Sequence, residues 1–198
     1  SSATCGDIIR VDKGTYSDDL LDITSTHNSV TIVGAGRDAT IFDQSGSGDH
    51  FIEIKSSATN ITISDMTIKD YDENQDGGAL DITSGPVILQ DLTFDNNSTT
   101  TSYDEGAAVF IGSSVTATID RCIFKNNSTA SGQNSVSIVY SEGALTMKNC
   151  LFYDNNCSTA DYSGILKIDD GSATITNCTF TENSSGHPIY IWDATSRP

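Results

Sequence analysis

Basic residues are scarce in this chain of 198 residues, which has ten Lys and Arg against 27 Asp and Glu and a formal net charge of −17. Nucleic-acid binding needs clustered positive charge because phosphates must be neutralised, so this composition excludes a nucleic-acid partner. Acidic membrane surfaces are disfavoured for the same reason. No apolar run approaches the roughly 18 residues of a membrane span, so we expect no membrane insertion.

Proline and spacer segments are scarce too. The chain has three prolines, and no Gly/Ser-rich or charged run separates two halves of different composition, so the sequence predicts one domain over residues 1–198. Hydrophobic residues make up 36% and charged residues 19%, while Ser, Thr, Asn, Asp and Gly account for most of the remainder. Because Gly, Asn and Asp adopt the backbone conformations of turns, this composition is typical of many short strands joined by turns.

A repeat dominates the second half of the chain. Cys122, Cys150 and Cys178 recur at intervals of 28 residues (150 − 122 and 178 − 150), and each is followed two residues later by phenylalanine. The same frame extends backwards through Leu92 and Met66. Each repeat holds two further short runs of alternating apolar and polar residues, for example residues 80–82 and 87–89. Three such runs leave too little chain for helices or βαβ crossovers.

These runs predict an all-β fold, a single right-handed parallel β-helix or solenoid, with about six coils of ~28 residues and three short strands per coil. One coil cannot bury its apolar face alone, whereas stacked coils enclose a continuous core. Residues 1–50 would form the first coils, residues 51–185 the regular repeats, and residues 186–198 an incomplete last coil.

Equivalent residues of stacked coils should lie ~4.8 Å apart and form ladders. We expect two apolar ladders and one asparagine ladder, whose inward amides would bond the backbone of the next coil: Leu92, Cys122, Cys150, Cys178; Phe94, Phe124, Phe152, Phe180; and Asn97, Asn127, Asn155, Asn183. Cys5 and Cys157 lie outside the cysteine column and some four coils apart, too far to pair within one chain. An intermolecular disulfide stays open for them.

The paired motifs of the later repeats resemble those of a known family. A glycine-alanine motif precedes a phenylalanine-asparagine motif twice, as Gly77-Gly78-Ala79-Leu80 with Phe94…Asn97 and Gly106-Ala107-Ala108-Val109 with Phe124…Asn127. They resemble the GGA(I/L/V) and FxxN repeats of the chlamydial polymorphic outer-membrane proteins, and the whole chain resembles the pectin-lyase-like β-helices. The first resemblance implies a surface adhesin. Gly143-Ala144-Leu145 departs from the pattern because it falls one strand later in its coil.

Asn-x-Ser/Thr sequons are frequent and predict N-glycosylation in a source that has the machinery. The asparagine ladder places the sequon residues Asn97, Asn127 and Asn183 inside the protein. The remaining sequons are the candidate acceptors, namely Asn60, Asn96, Asn126, Asn156 and Asn177.

An acidic segment offers oxygen ligands at alternate positions, as calcium loops do: Asp70, Asp72, Asn74 and Asp76. It lacks the central glycine and distal glutamate of an EF-hand, and a solvated acidic turn is the alternative. No cofactor is required, and calcium is the one cofactor for which the sequence predicts a place.

Catalytic signals are weak, and we assign no catalytic residue. Asp169-Asp170 and the later Gly186-His187 resemble fragments of the polygalacturonase signature, but its NTD and RIK elements are missing. Two outward rows are predicted instead. One is mixed and contains aromatics, and the other is rich in threonine: Glu53, Asp81, Phe110, Lys167, Tyr190; and Thr62, Thr118, Thr146, Thr174.

We therefore expect an extracellular or cell-surface β-helix that acts as an adhesive or structural module. Open coil ends would allow head-to-tail self-association into a filament, and the outward rows would bind surface glycans or proteins. The alternatives are a polysaccharide lyase or glycoside hydrolase of the pectin-lyase-like type, and a non-catalytic glycan-binding module. Residues Ser1–Thr4 lack the apolar core of a signal peptide, so we expect that any secretion signal has been removed or lies outside this sequence.

Overall fold

The structure is a computed structural model that describes residues 3–17, 21–44, 50–73, 75–100, 105–129, 136–157 and 161–192. Within these ranges the chain forms 22 β-strands and a short 3₁₀ turn at Ser25–His27. The strand pairs are parallel throughout, and the chain winds repeatedly through three sheets that enclose one core.

The first sheet stacks seven strands along one side of the solenoid. Its order is β1 (Ile8–Arg10), β4 (Thr31–Val33), β7 (Ile61–Lys69), β10 (Val87–Asp95), β13 (Thr116–Asp120), β17 (Ala144–Lys148) and β20 (Ser172–Thr176). Thr118, Thr146 and Thr174 align in its last three strands, at the 28-residue interval of the cysteines.

The second sheet begins where the chain turns after the first. It contains β2 (Gly14–Tyr16), β5 (Thr40–Asp43), the second halves of β7 and β10, β14 (Ile123–Lys125), β18 (Leu151–Tyr153) and β21 (Thr179–Thr181). Because β7 and β10 run through the corner without a break, the first two sheets join into one 12-stranded sheet.

The third sheet again stacks seven strands, from the first coil to the last. Its order is β3 (Leu21–Ile23), β6 (Ile52–Ile54), β9 (Leu80–Ile82), β12 (Val109–Ile111), β16 (Ser137–Ser141), β19 (Gly164–Asp169) and β22 (His187–Trp192). A narrow strip precedes it in the middle coils, formed by β8 (Asp72–Glu73), β11 (Ser98–Thr99) and β15 (Ser128–Thr129). The predicted all-β parallel solenoid is confirmed.

Corners of the coil are built by residues in the left-handed region. The corner between the first and second sheets falls at Asp65, Asp91, Arg121, Asn149 and Asn177, where φ lies between 52° and 60°. Asn and Asp tolerate this conformation because their short side chains bond locally, which explains their place in the repeat.

The glycine motifs mark the start of strands in the third sheet. Gly77 and Gly106 have φ of 74° and 76°, and a Cβ atom on Gly77 would overlap the carbonyl oxygen of Leu80. Both the backbone conformation and the close packing therefore require glycine at these two positions.

Inward side chains form the three ladders. The rings of Phe94, Phe124, Phe152 and Phe180 stack at centroid distances of 4.9, 4.5 and 4.5 Å. The asparagine ladder runs beside them, because each amide nitrogen of Asn97, Asn127 and Asn155 donates to the next asparagine oxygen at 3.0, 2.9 and 2.8 Å. The same amides also donate to backbone carbonyls, so the polar ladder is satisfied inside the core.

The cysteine column follows Leu92 in the same interior. Cys122 and Cys150 are buried and Cys178 is half-buried in the last coil, and each thiol donates to a backbone carbonyl. Burial and the neighbouring Cys150 thiol raise the pKa of Cys122. These cysteines are free thiols that fill the core as small apolar side chains.

Candidate functional site

The outward face of the third sheet carries a continuous row of large side chains. Strand register aligns one residue from each coil, and we call this set the outer row: Asp22, Glu53, Asp81, Phe110, Tyr140, Lys167 and Tyr190. Its first three members are acidic and the remaining four are aromatic or basic, so the two ends of the row present different chemistry.

Lys167 is buried although it points outward, with 1% of its surface exposed. Its Nζ atom lies 3.1 Å from Glu105 and 3.0 Å from Asp169, and 4.6 Å from the ring centre of Tyr140. The expectation that Lys167 faces solvent is therefore wrong. Glu105, which precedes β12, reaches over the sheet, and two carboxylates compensate for the burial of the ammonium group.

Tyr140 forms the floor beside Lys167. Its hydroxyl donates to Asp169 at 2.9 Å and lies 3.4 Å from Glu142. Burial, followed by the charges of Glu105 and Asp169, raises the pKa of Tyr140 well above its ordinary value. The hydroxyl is consequently a neutral donor at physiological pH, and it fixes the Asp169 carboxylate in place.

An aromatic cleft opens above this floor. It is lined by Tyr162, Lys167, Asp169 and Trp192 and has a volume of about 250 Å³. The rings of Tyr162 and Trp192 meet at 5.1 Å and 89°, and Tyr190 lies 6.4 Å from Trp192 at 24°. Burial, Tyr162 and the charges of Asp169 and Asp161 raise the pKa of Tyr190, so both carboxylates act on the same cleft.

Tyr162 is unusual in its backbone. It lies in the turn before β19 with φ of 70°, and 46% of its surface is exposed. Bulky residues rarely adopt this conformation, and such strain concentrates at binding and catalytic sites.

The acidic end of the outer row contains a perturbed carboxyl. Burial raises the pKa of Asp81 to about 6, the charges of Glu53 and Asp76 add to this effect, and His50 opposes it. The Oδ1 atom of Asp81 is buried and has no hydrogen-bond partner within the described ranges. Glu53, in contrast, pairs with Lys55, whose Nζ atom also lies 3.0 Å from Asp22. The two neighbouring carboxyls therefore differ in their surroundings, since Glu53 has a cationic partner and the Oδ1 atom of Asp81 has no hydrogen-bond partner within the described ranges.

The carboxylates of the predicted calcium segment each contact a different group of the protein. Asp70 pairs with Lys69 at 2.8 Å, Asp72 accepts from Ser98 at 2.8 Å, and Asp76 accepts from the backbone of Glu105 at 2.7 Å. Asn74 lies outside the described residues. No group of three His, Cys, Asp or Glu in the described part of the chain could hold a metal ion. Calcium binding stays a prediction.

The sequon asparagines fall into two groups, and all five are exposed. The amides of Asn96, Asn126 and Asn177 donate to neighbouring side chains at 2.6, 2.7 and 2.8 Å. The side chains of Asn60 and Asn156 make no hydrogen bond within the described ranges. Of the five candidate glycosylation sites, Asn60 and Asn156 therefore have the side-chain amides that are least engaged by the protein.

The weak catalytic motifs are only partly brought together by the fold. Asp170 is an exposed corner residue with φ of 53°, whereas Asp169 belongs to the aromatic cleft. His187 lies 5.3 Å from the ring of Tyr190 at the edge of that cleft. Cys157 is buried beside Val136 and Cys5 is exposed in the first coil, and neither forms a disulfide within the described residues. No described helix is long and apolar enough to cross a membrane.

Several members of the site are missed by sequence reasoning. Tyr140 follows Phe110 by 30 residues and precedes Lys167 by 27 (140 − 110 and 167 − 140). A search for residues at a fixed interval of 28 therefore does not align Tyr140 with its neighbours in the outer row. Tyr162 and Glu105 lie in connecting segments, where the repeat carries no signal.

Comparison with known proteins gives one family and three solved structures. A pectin methylesterase in complex with hexasaccharide VII is 14% identical over 98% of this chain and 74% of that chain, with a TM-score of 0.45. A pectin methylesterase variant in complex with hexasaccharide IV is 15% identical over 98% of this chain and 74% of that chain, with a TM-score of 0.39. ORF18 of Geobacillus virus E2 is 14% identical with a TM-score of 0.46, over 96% of this chain and 55% of the viral one.

No curated protein matches the chain. The family described as "right handed beta helix region" matches residues 19–165. This match spans most of the sequence and agrees with the three parallel sheets, and the chain therefore belongs to the right-handed β-helix family.

Proposed function

We propose that this protein is an extracellular or cell-surface adhesive module that binds glycans through the aromatic cleft of its third sheet. The observation that carries the proposal is the grouping of Tyr162, Tyr190 and Trp192 around the Asp169 carboxylate. The resemblance of the repeats to surface adhesin repeats supports the same role.

The geometry suits a sugar ring. Aromatic faces pack against the apolar C–H faces of sugars, while a fixed carboxylate accepts hydrogen bonds from hydroxyl groups. Asp169 is held by Tyr140 and Lys167, so its oxygens are oriented before a ligand arrives. The volume of about 250 Å³ accommodates one sugar unit rather than a long chain.

The test is binding to a glycan array by the wild-type protein and by Trp192→Ala. We expect the variant to lose about tenfold or more in affinity, because it removes one wall of the cleft. Ile88→Ala is the matched control, since Ile88 is an exposed apolar residue on the first sheet. Wild-type protein that binds no glycan, or a Trp192→Ala variant that binds like the control, would refute the proposal.

A second candidate function is glycoside hydrolysis at the acidic end of the outer row. Asp81 has a pKa of about 6 and lies in register with Glu53 on the adjacent strand. The backbones of two such strands are roughly 4.8 Å apart along the stack. Retaining glycosidases use two neighbouring carboxyl groups, one of which has a raised pKa and acts as the acid. Incubation with glycans tests it through new reducing ends, which Glu53→Gln should abolish.

Self-association is a separate proposal that concerns the two end coils. Leu21 and Ile191 occupy inward positions in register with buried core residues, yet 42% and 69% of their surfaces are exposed. Stacking of one copy on the next would cover both, which favours a filament. Sedimentation of wild-type protein and Ile191→Lys over a range of concentrations distinguishes a polymer from a monomer.

A further inference from the structure

We infer that the aromatic cleft selects a sugar bearing a free ammonium group, such as glucosamine, and rejects uronic acids. This inference rests on the proposed glycan-binding function. It concerns the electrostatic character of the cleft, which neither the family nor the fold determines.

Carboxylates outnumber cations around the cleft. Glu105 and Asp169 both contact Lys167, Glu142 lies 3.4 Å from the Tyr140 hydroxyl, and Asp161 acts on Tyr190. Four carboxylates therefore surround one ammonium group, and the His187 ring lies at the edge, 5.3 Å from the ring of Tyr190. The site is anionic within a chain of net charge −17.

Lys167 is not accessible to an acidic ligand. Its ammonium group is buried, paired with two carboxylates and placed over the ring of Tyr140. Recruiting it to a uronate would break both ion pairs and bring another negative charge next to Asp169. A uronic acid is thus disfavoured by repulsion without a compensating contact.

The aromatic walls favour positive charge. Trp192 and Tyr162 meet almost at right angles, and the Tyr190 ring lies 6.0 Å from Tyr162 and 6.4 Å from Trp192. A cation within about 6 Å of such ring faces is attracted by their quadrupoles, most strongly by tryptophan. An amino sugar could pack its ring on Trp192 and direct its ammonium group towards Asp169, using both features at once.

The experiment compares three oligosaccharides of equal length, composed of glucosamine, N-acetylglucosamine and galacturonic acid, by calorimetric titration. We expect the glucosamine oligomer to bind about tenfold or more tightly than its acetylated counterpart, and the galacturonate oligomer not to bind. Added salt should weaken glucosamine binding, because charge carries the preference.

Two variants separate a specific site from general attraction to an acidic surface. Asp161→Asn removes an exposed carboxylate beside the cleft, and Asp154→Asn removes an exposed carboxylate at the corner that follows β18 of the second sheet. Only Asp161→Asn should reduce the preference for glucosamine. Equal loss in both variants would overturn the inference, as would tighter binding of either other oligomer. If one of the other oligomers binds more tightly, the proposed glycan-binding function still holds and only the preference for glucosamine is refuted. If none of the three oligomers binds, the glycan-binding function is refuted as well.

Discussion

The Nζ atom of Lys167 lies 3.1 Å from the carboxylate of Glu105, a residue 62 positions earlier in the chain. This contact ties the segment before β12 to the strand two coils further along. It also accounts for the burial of a lysine that the alternation of the strand would place in solvent. The aromatic cleft therefore has a floor that depends on tertiary contacts between coils.

Lys167→Ala should destabilise the protein by roughly 2–3 kcal/mol, because it leaves Glu105 and Asp169 without their cation. Urea denaturation measures the change in the free energy of unfolding. Lys148→Ala is the control, since Lys148 is exposed and lies 3.7 Å from a single carboxylate, so its loss should cost less than about 1 kcal/mol. Equal effects in the two variants would contradict the role given to the buried ion pairs.

Asn127→Ala should also be strongly destabilising. The variant loses the bonds to Phe94 and Asn155, and it leaves the buried backbone N–H of Asn97 without its acceptor. We expect a loss of about 2–4 kcal/mol, since several buried polar groups are left unsatisfied. Asn183→Ala, at the half-buried end of the ladder, should cost less in the same denaturation experiment. A larger effect at Asn183 would show that the ladder is not what stabilises the interior.

The repeat makes much of this architecture predictable. Phe124 and Asn127 recur at a fixed interval, and register between parallel strands converts that interval directly into stacking. The binding face is less predictable because it is assembled from irregular spacings and connecting segments. Tyr140 lies 27 residues before its partner Lys167, so a search at a fixed interval of 28 residues does not find it. The burial of Lys167 depends on Glu105, and no local sequence pattern connects these two residues.

Thiol reactivity should separate the core cysteines from the rest. Burial raises the pKa of Cys122 and excludes reagents, whereas Cys5 is exposed. Mass spectrometry after brief treatment of the native protein with iodoacetamide should find modification at Cys5, and none at Cys122 until denaturant is added. Rapid modification of Cys122 in the native protein would contradict its place in the interior.

Asn60 should carry a glycan when the protein is secreted from a eukaryotic cell. Its side chain is exposed and makes no hydrogen bond within the described ranges, and its complete sequon, Asn60–Thr62, is described. Intact mass before and after treatment with an N-glycosidase measures occupancy, and Asn60→Gln should remove one glycan mass. Asn97→Gln is the comparison, because Asn97 is buried in the ladder and should carry none.

Asp81 gives the protein a defined dependence of stability on pH. Its pKa rises from an ordinary 3.8 to about 6 in the folded protein, so the folded state binds more protons between these values. The contribution of Asp81 to the stability of the protein is therefore greatest below about pH 4 and is lost as the pH rises through 6. After allowance for its partial exposure, the loss is roughly 1–2 kcal/mol.

Asp81→Asn removes this titration, so the variant should gain stability relative to the wild type at pH 7 and little or none at pH 4. Denaturation curves at both pH values measure the difference directly. Because any effect of the new amide on packing is the same at both pH values, the change between them isolates the ionisation of Asp81. A difference between variant and wild type that does not grow with pH would show that Asp81 titrates normally, and the case for its pairing with Glu53 in hydrolysis would fail with it.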